Sequence, residues 1–433
     1  MNIRLYNAKI LTMEKNREIF SGEIWIKNEK IACILEQSRL TALDKKNFPP
    51  VTWDVELDCQ GNLLMPGFKN AHTHSAMTFL RSYADDLPLH EWLHEKVFPM
   101  EAKLSGEDIY NFTKLAVLEY LTAGITSVFD MYIKPEAVAE ACMDTGMRCV
   151  LVSGVNDFTS SPEQMEEEYL RFQQKNSLIT YQLGFHAEYT CSKQLLCKVA
   201  ELAHKYHAPV YAHLAETEKE VLECKARYGM SPVVFLDSLG MFTYGGGGYH
   251  CIYLNEEDIE VFKRRKLYAI TNPASNLKLA SGIAPIADFL RHNIPMAIGT
   301  DGPASNNCLD MFREMFLVTG LSKIKEKDAA SIDAMEVLSM ATVGGAGAMK
   351  LNKADVLARG KLADLIMLDL HSPNMQPVHN ICKNIVYSGS KSNVLMTMIN
   401  GKILYYKGSF HIGENPEDIY ARCNDTIKRM LSE

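Results

Sequence analysis

The stretch Pro66-Gly67-Phe68-Lys69-Asn70-Ala71-His72-Thr73-His74 closes an apolar run that begins at Leu63-Leu64-Met65. In an extended strand, residues i and i+2 point to the same side, so His72 and His74 can reach one metal ion together. An isolated His-x-His is more often a pair of surface histidines in a turn. This pair has company, because further apolar runs downstream also end in a His or an Asp. The pattern points to metal-dependent hydrolysis.

Working outward, eight apolar runs read as buried parallel strands. They are Leu63 to Ala71, Gly124 to Met131, Cys149 to Val155, Thr180 to His186, Pro209 to Leu214, Gly248 to Ile252, Tyr268 to Asn272, and Pro295 to Thr300. Helical patterns lie between several of them. Glu107 to Thr122 follows Ser105, an N-cap with Asp108 three residues on, and ends at Gly124. Pro135 to Thr145 starts with proline and stops at Gly146. Ser192 to Tyr206, Glu216 to Tyr228 and Glu256 to Arg265 follow the same period. Strand, loop and helix repeated eight times predict an α/β fold, a (β/α)8 TIM-type barrel. A doubly wound sheet is the competitor, but no Gly-x-Gly-x-x-Gly turn opens a helix anywhere in the chain.

The two ends read differently. Ile3 to Ala8, Lys9 to Met13, Gly22 to Ile26 and Lys30 to Leu35 are strand-like, a piece too small to bury much core alone. After a helical stretch, Asp333 to Met349, strand patterns return at Ala363 to Asp369, Asn384 to Tyr387, Val394 to Ile399 and Lys402 to Tyr406. Pro416 to Leu431 reads as an amphipathic helix. The expected organisation is a barrel over 58–355. Residues 1–57 and 356–433 then pair into one small β-sandwich domain, with the terminal helix attached.

Composition bounds the function. The 433 residues are 47% hydrophobic and 23% charged, values of a soluble globular protein, with a net charge of −8. That charge argues against nucleic acid and anionic membranes, both of which reward a basic face. The start, Met1 to Tyr6, lacks the pattern of a signal peptide, and no apolar run reaches the length of a membrane span. The 11 cysteines are scattered singly with no Cys-x-x-Cys pair, and read as reduced thiols of a cytoplasmic protein. The expected partner is a small molecule, with a homo-oligomer left open.

In a (β/α)8 barrel the active site lies at the C-terminal ends of the strands. There the chain places His72 and His74 on the first strand, His186 on the fourth and His213 on the fifth. His250 ends the sixth and Asp301 the eighth. Three imidazoles and one carboxylate suit Zn²⁺, with Fe²⁺ or Mn²⁺ as alternatives, and leave a position open for an activated water. Glu216, three residues after His213 in the expected first turn of a helix, is placed to act as a general acid/base. Strand four ends Gly184-Phe185-His186 and carries no bridging carboxylate or lysine, which favours one metal ion.

Taken together, Pro66 to His74, Ala212-His213-Leu214-Ala215-Glu216, Asn272 to Leu279 and Gly299 to Asn307 resemble the amidohydrolase superfamily. Within it they are similar to the branch of 5-methylthioadenosine/S-adenosylhomocysteine deaminases and triazine hydrolases. The resemblance covers residues 1 to about 407. It implies that His72, His74, His213 and Asp301 hold the metal and that Asp301 takes a proton from the bound water. It further implies that Glu216 protonates the substrate ring nitrogen and that His250 steadies the hydroxide. The Leu87 to Leu93 segment matches the branch's ribose site, with Glu91 on the hydroxyls and Trp92 beside it; Arg148 and His186 match further substrate contacts. Glu188 adds a carboxylate expected near the rim. The activity implied is hydrolytic deamination of an adenine-type nucleoside with release of ammonia. Deamination of a guanine- or pterin-type ring and dechlorination of a triazine are the alternatives within the superfamily. A barrel that has lost catalysis and serves as a binding module is disfavoured, because no ligand or acid/base is missing.

Overall fold

The computed structural model describes residues 1–39, 51–87, 91–173 and 177–432. Strands β1 (Asn2–Ile10), β2 (Phe20–Lys27), β3 (Lys30–Glu36), β4 (Val55–Asp58) and β5 (Leu63–Pro66) come first. Next are β6 (Phe68–Thr73), β7 (Ile125–Met131), β8 (Arg148–Val152) and β9 (Ile179–Ala187). They continue as β10 (Val210–Leu214), β11 (Gly246–His250), β12 (Tyr268–Thr271) and β13 (Met296–Ile298). Strands β14 (Leu365–Leu368), β15 (Val394–Ile399), β16 (Lys402–Tyr406) and β17 (Ser409–Phe410) complete the set.

Strands β6 to β13 pair in chain order as one parallel eight-stranded sheet. It curls until its first and last strands meet, where the Asp301 N–H donates to the His72 carbonyl at 3.0 Å. The Asn70 side chain completes the seam: its Nδ2 donates to Thr300 Oγ1 at 2.7 Å and its Oδ1 accepts from Thr300 N–H at 2.8 Å. The predicted TIM-type barrel is therefore present. Its interior is filled by Ala71, Phe129, Val150, Tyr211, Tyr249 and Ile270 among others. Its lower end is stoppered by the helix Gly345–Ala348, whose Ala348 carbonyl accepts from Tyr211 Oη at 2.7 Å.

The remaining nine strands form one mixed sheet built from both chain ends, in which β5 lies between β1 and β14. Gly67 therefore divides the opening apolar run, and the stretch expected as a single strand from Leu63 to Ala71 serves two sheets. A Cβ on Gly67 would lie 2.1 Å from Thr126 Cγ2, so only glycine lets the chain pass from one sheet to the other there.

Other boundaries moved for physical reasons. The two short strands expected between Ile3 and Met13 are the single β1, since its irregularity between Leu5 and Ala8 bends the strand without ending it. Asn384 to Tyr387, expected as a strand, lies in the helix Ile381–Tyr387, whose N-cap Asn380 accepts from Lys383 N–H. The sixth barrel strand starts at Gly246 rather than Gly248, because its glycines fit between β10 and β12. A Cβ at Gly247 would come 2.5 Å from the Tyr268 carbonyl oxygen and one at Gly248 2.8 Å from Leu214 Cβ. The helix Gly106–Thr122 begins at the predicted Ser105 with its reciprocal Asp108 capping box. No helix among the described residues is long and apolar enough to cross a membrane.

The outer sheet is fastened to the barrel floor by a buried ion pair. Arg148, the first residue of β8, donates to Asp364 through Nε at 2.5 Å and Nη2 at 3.0 Å. Burial works against the Asp364 charge, but the guanidinium holds its carboxyl below the usual range. Removing one partner leaves the other charge buried and uncompensated. Asp364→Ala should therefore cost about 3–5 kcal/mol in urea unfolding; an unchanged midpoint would show that the pair does not secure the sheet.

Candidate active site

At the upper rim of the barrel, His72 lies in β6 and His74 directly follows its last residue, and both rings turn toward Asp301. His72 is fully buried, and neither of its ring nitrogens has a hydrogen-bond partner. Its Nε2 lies 3.4 Å from Asp301 Oδ1, and His74 Nε2 lies 3.3 Å from the same oxygen. The His213 ring, carried by β10, is centred 4.9 Å from that of His72. Ligand atoms of His72, His74 and Asp301 fall within 4.8 Å of one another, and so do those of His72, His213 and His250.

The other nitrogen of each ring shows which face is free. His74 Nδ1 donates to the Met131 carbonyl and His213 Nδ1 to the His186 carbonyl at 2.8 Å. A carbonyl only accepts, so both Nδ1 atoms carry a proton and both Nε2 atoms are turned toward the centre. Burial pushes the His72 imidazole down to about 3 and His213 well below its ordinary range, which keeps both neutral. Burial also opposes protonation of His74, but the hydrogen bond to Asp301 outweighs it and holds that ring up at about 9. Burial likewise disfavours the Asp301 charge, yet His72 and His74 together hold its carboxyl well below the usual range. Neutral His72 and His213 converge on one point with His74 and an ionised carboxylate, and His72 has no other partner; this set suits a divalent cation, whose binding would displace the Nε2 proton of His74.

Neighbouring groups immobilise this set. Asp301 Oδ2 accepts from Ser275 Oγ at 2.6 Å and Ser305 Oγ at 3.0 Å, and Oδ1 from Gly302 N–H at 2.8 Å. The Tyr120 hydroxyl bridges Thr73 and Ser75 at 2.8 Å each, while buried Asp130 accepts from Ser75 N–H at 3.0 Å. Tyr249 stacks on the His72 ring with centroids 3.8 Å apart. His250 Nδ1 is bonded to Asn276 Oδ1 at 2.7 Å. Ser275, Asn276 and Ser305 lie in the family-like stretches Asn272 to Leu279 and Gly299 to Asn307, where nothing local marks their individual roles. Asp130 and Tyr120 carry no signal in the sequence, because each acts through one polar atom among ordinary neighbours.

Glu216 is buried and lies across the site, its Oε2 3.8 Å from His250 Nε2. Burial raises its carboxyl above the ordinary range, though His250 opposes the shift. It does not sit in the first turn of a helix as expected. The helix is Glu218–Tyr228 with Thr217 as N-cap, and Glu216 occupies the turn before it. That turn is clamped by Glu220, whose carboxylate accepts from Ala215 N–H at 2.8 Å and Glu216 N–H at 2.9 Å. The whole set opens into a cavity of about 520 Å³.

Of the expected substrate contacts, His186 and Trp92 line this cavity. Glu91 is exposed and begins the turn that carries Trp92. Pro88, Leu89 and His90 of the same motif lie outside the described residues. Two expectations are corrected. Arg148 stands at the start of its strand, the opposite end of the barrel from the site, and is consumed by Asp364. Glu188 is only 1% exposed and is paired with Arg227 at 2.6 Å, so its carboxylate is turned away from the rim.

A ligand that binds only the folded chain stabilises it by about 4 kcal/mol at a thousandfold excess over Kd. Chelation should accordingly lower the melting temperature and abolish activity, with Zn²⁺ restoring both. His213→Ala should lose bound metal by elemental analysis; full retention would remove His213 from the ligand set.

The comparisons with known proteins fall on this same architecture. The model of the amidohydrolase family matches residues 63–404. The 5-methylthioadenosine/S-adenosylhomocysteine deaminase of Caldicellulosiruptor saccharolyticus is 39% identical over 94% of each chain. The 5'-deoxyadenosine deaminase of Methanopyrus kandleri is 38% identical over 88% of this chain and 90% of its own. Among solved structures, a zinc-bound adenosine deaminase from Xanthomonas campestris superposes with a TM-score of 0.92 at 30% identity, covering 100% of this chain and 98% of its own. With barrel, strand-end histidines and aspartate all in place, the chain belongs to the amidohydrolase family.

Proposed function

We propose that this amidohydrolase deaminates an adenine-type nucleoside, with Zn²⁺ as its metal, in the cytoplasm. The reading rests on one juxtaposition. A buried carboxyl that burial shifts toward its protonated form (Glu216) and an ionised carboxylate (Asp301) face each other across His250, above a histidine cluster fit for one ion. The names of the relatives support the substrate class.

His72, His74, His213 and Asp301 would hold the ion. When bound, a divalent cation lowers the pKa of water enough to supply a nucleophile near neutral pH. Asp301, kept ionised by its two histidines and steadied by Ser275 and Ser305, is the group that accepts a proton from the attacking water. Glu216, whose hold on a proton is strengthened by burial, donates to the ring nitrogen next to the carbon that bears the amino group. Protonating that nitrogen lets it take up the electron pair as the carbon becomes tetrahedral. The departing nitrogen needs a proton as well: Asp301 returns the one it took from water, the carbon–nitrogen bond breaks to release ammonia, and the hydroxyl left on the carbon gives its proton to Glu216 as the product carbonyl forms. His250 Nε2 lies 3.8 Å from Glu216 and 3.9 Å from Asp301, a position between the two carboxyls from which it steadies the attacking water. His186 and Trp92 contact the substrate from the cavity wall, and Glu91 reaches the ribose hydroxyls from the rim.

Glu216→Gln should keep its metal and lose about a hundred- to ten-thousandfold in kcat, measured as ammonia release from 5-methylthioadenosine. Near-normal turnover would remove Glu216 from the acid role. Glu91→Ala should chiefly raise KM for the nucleoside; equal effects on a free base and its nucleoside would refute the ribose assignment.

A further inference from the structure

The cavity extends well beyond the catalytic groups. With the amino-bearing edge of adenine held between Glu216 and Asp301, the 5' end of a nucleoside points away from the barrel axis. The space left for it runs past Met131 and Ser153 toward the helix Pro162–Phe172. Along this arm the polar lining is neutral or acidic. Ser153, Asn156 and Gln164 are neutral, while Glu101 and Glu168 are acids. Among the described residues lining the cavity there is no arginine, and the single lysine, Lys134, has its Nζ committed to the Leu104 carbonyl at 2.8 Å. Glu168 is itself held in place, accepting from Tyr181 Oη at 2.8 Å and from Gln164 Nε2 at 2.9 Å. Gln164 thus spends a donor on an acid of the protein. A carboxylate entering the arm would lose water and meet two acids, and the one cation on the wall, the Lys134 ammonium, already donates to the Leu104 carbonyl.

We propose that this arm selects nucleosides whose 5' substituent carries no carboxylate, with Gln164, Glu168 and Glu101 as the specificity-determining residues. The inference rests on the deaminase reading above. Apolar wall groups such as Met131, Ile133 and Val152 suit a methyl or thioether at the 5' position. Burial raises the Glu168 carboxyl and lifts Glu101 to about 6.

The test compares kcat/KM of the metal-loaded enzyme for 5-methylthioadenosine, S-adenosylhomocysteine and the decarboxylated form of S-adenosylhomocysteine, which keeps the thioether and the amine. The first and third should exceed S-adenosylhomocysteine by at least about tenfold. In Gln164→Arg/Glu168→Gln, which replaces an acid with an amide and adds a guanidinium, the gap should narrow. Equal use of all three by the unaltered enzyme would overturn the proposal while leaving the deaminase reading intact. A gap that persists in the double variant would overturn the assignment to Gln164 and Glu168. Ammonia from none of the three would overturn the deaminase reading, and the proposal with it.

Discussion

Closure of the barrel between its first and last strands is the constraint on which the site depends. His72 and Asp301 are 229 positions apart in the chain, yet the Asp301 N–H donates to the His72 carbonyl at 3.0 Å. The same contact sets Asp301 Oδ1 against both histidine rings. Asn70 secures it from inside the seam by pairing both ends of its amide with Thr300. A buried amide with both ends satisfied fixes the register of the two strands, because any slip would leave polar groups without partners.

The strand ends hold conformations that L-residues avoid. Ala215 (φ 50°), His250 (φ 69°) and Asp301 (φ 59°) all lie in the left-handed region. Each costs on the order of 1–2 kcal/mol and persists because its surroundings leave no alternative. The Ala215 carbonyl accepts from both Ile252 and Tyr253 N–H at 3.0 Å, and the Cys251 N–H is bonded to the Leu214 carbonyl at 3.1 Å. These bends turn His250 and Asp301 inward at the ends of their strands and leave Glu216 above them. Strain and hydrogen bonding therefore act together to aim the catalytic groups.

Much of the fold was legible because parallel strands buried on both faces are written as apolar runs, and a helix start such as Ser105 with Asp108 has a local cause. Metal-ligand candidates were legible for a related reason. His72, His74, His213 and Asp301 are polar residues ending apolar runs, where polarity needs an explanation. Arg148 and Glu188 misled because a charged residue near a strand carries no mark of which end of the barrel it faces. Arg148 starts its strand where Asp364 waits across the chain, and Glu188 meets Arg227 from a neighbouring helix. Both partners are remote in sequence. Glu220, in the first turn of the helix Glu218–Tyr228, has nothing in the local sequence to set it apart from the glutamates around it, although it clamps the turn at Glu216.

By itself the sequence determined the alternation of strand and helix, the caps that start the helices, and the residue types able to bind a cation. These follow from local sterics, hydrophobic period and side-chain chemistry, which act over a few residues. Tertiary structure alone decided the rest: that Gly67 parts one apolar run into two sheets, that Arg148 serves the barrel floor, and that Glu168, held by Tyr181 and Gln164, lies on the outer cavity wall. Each of these depends on partners brought from distant parts of the chain, and burial and electrostatics are set by those neighbours and by nothing in the local pattern.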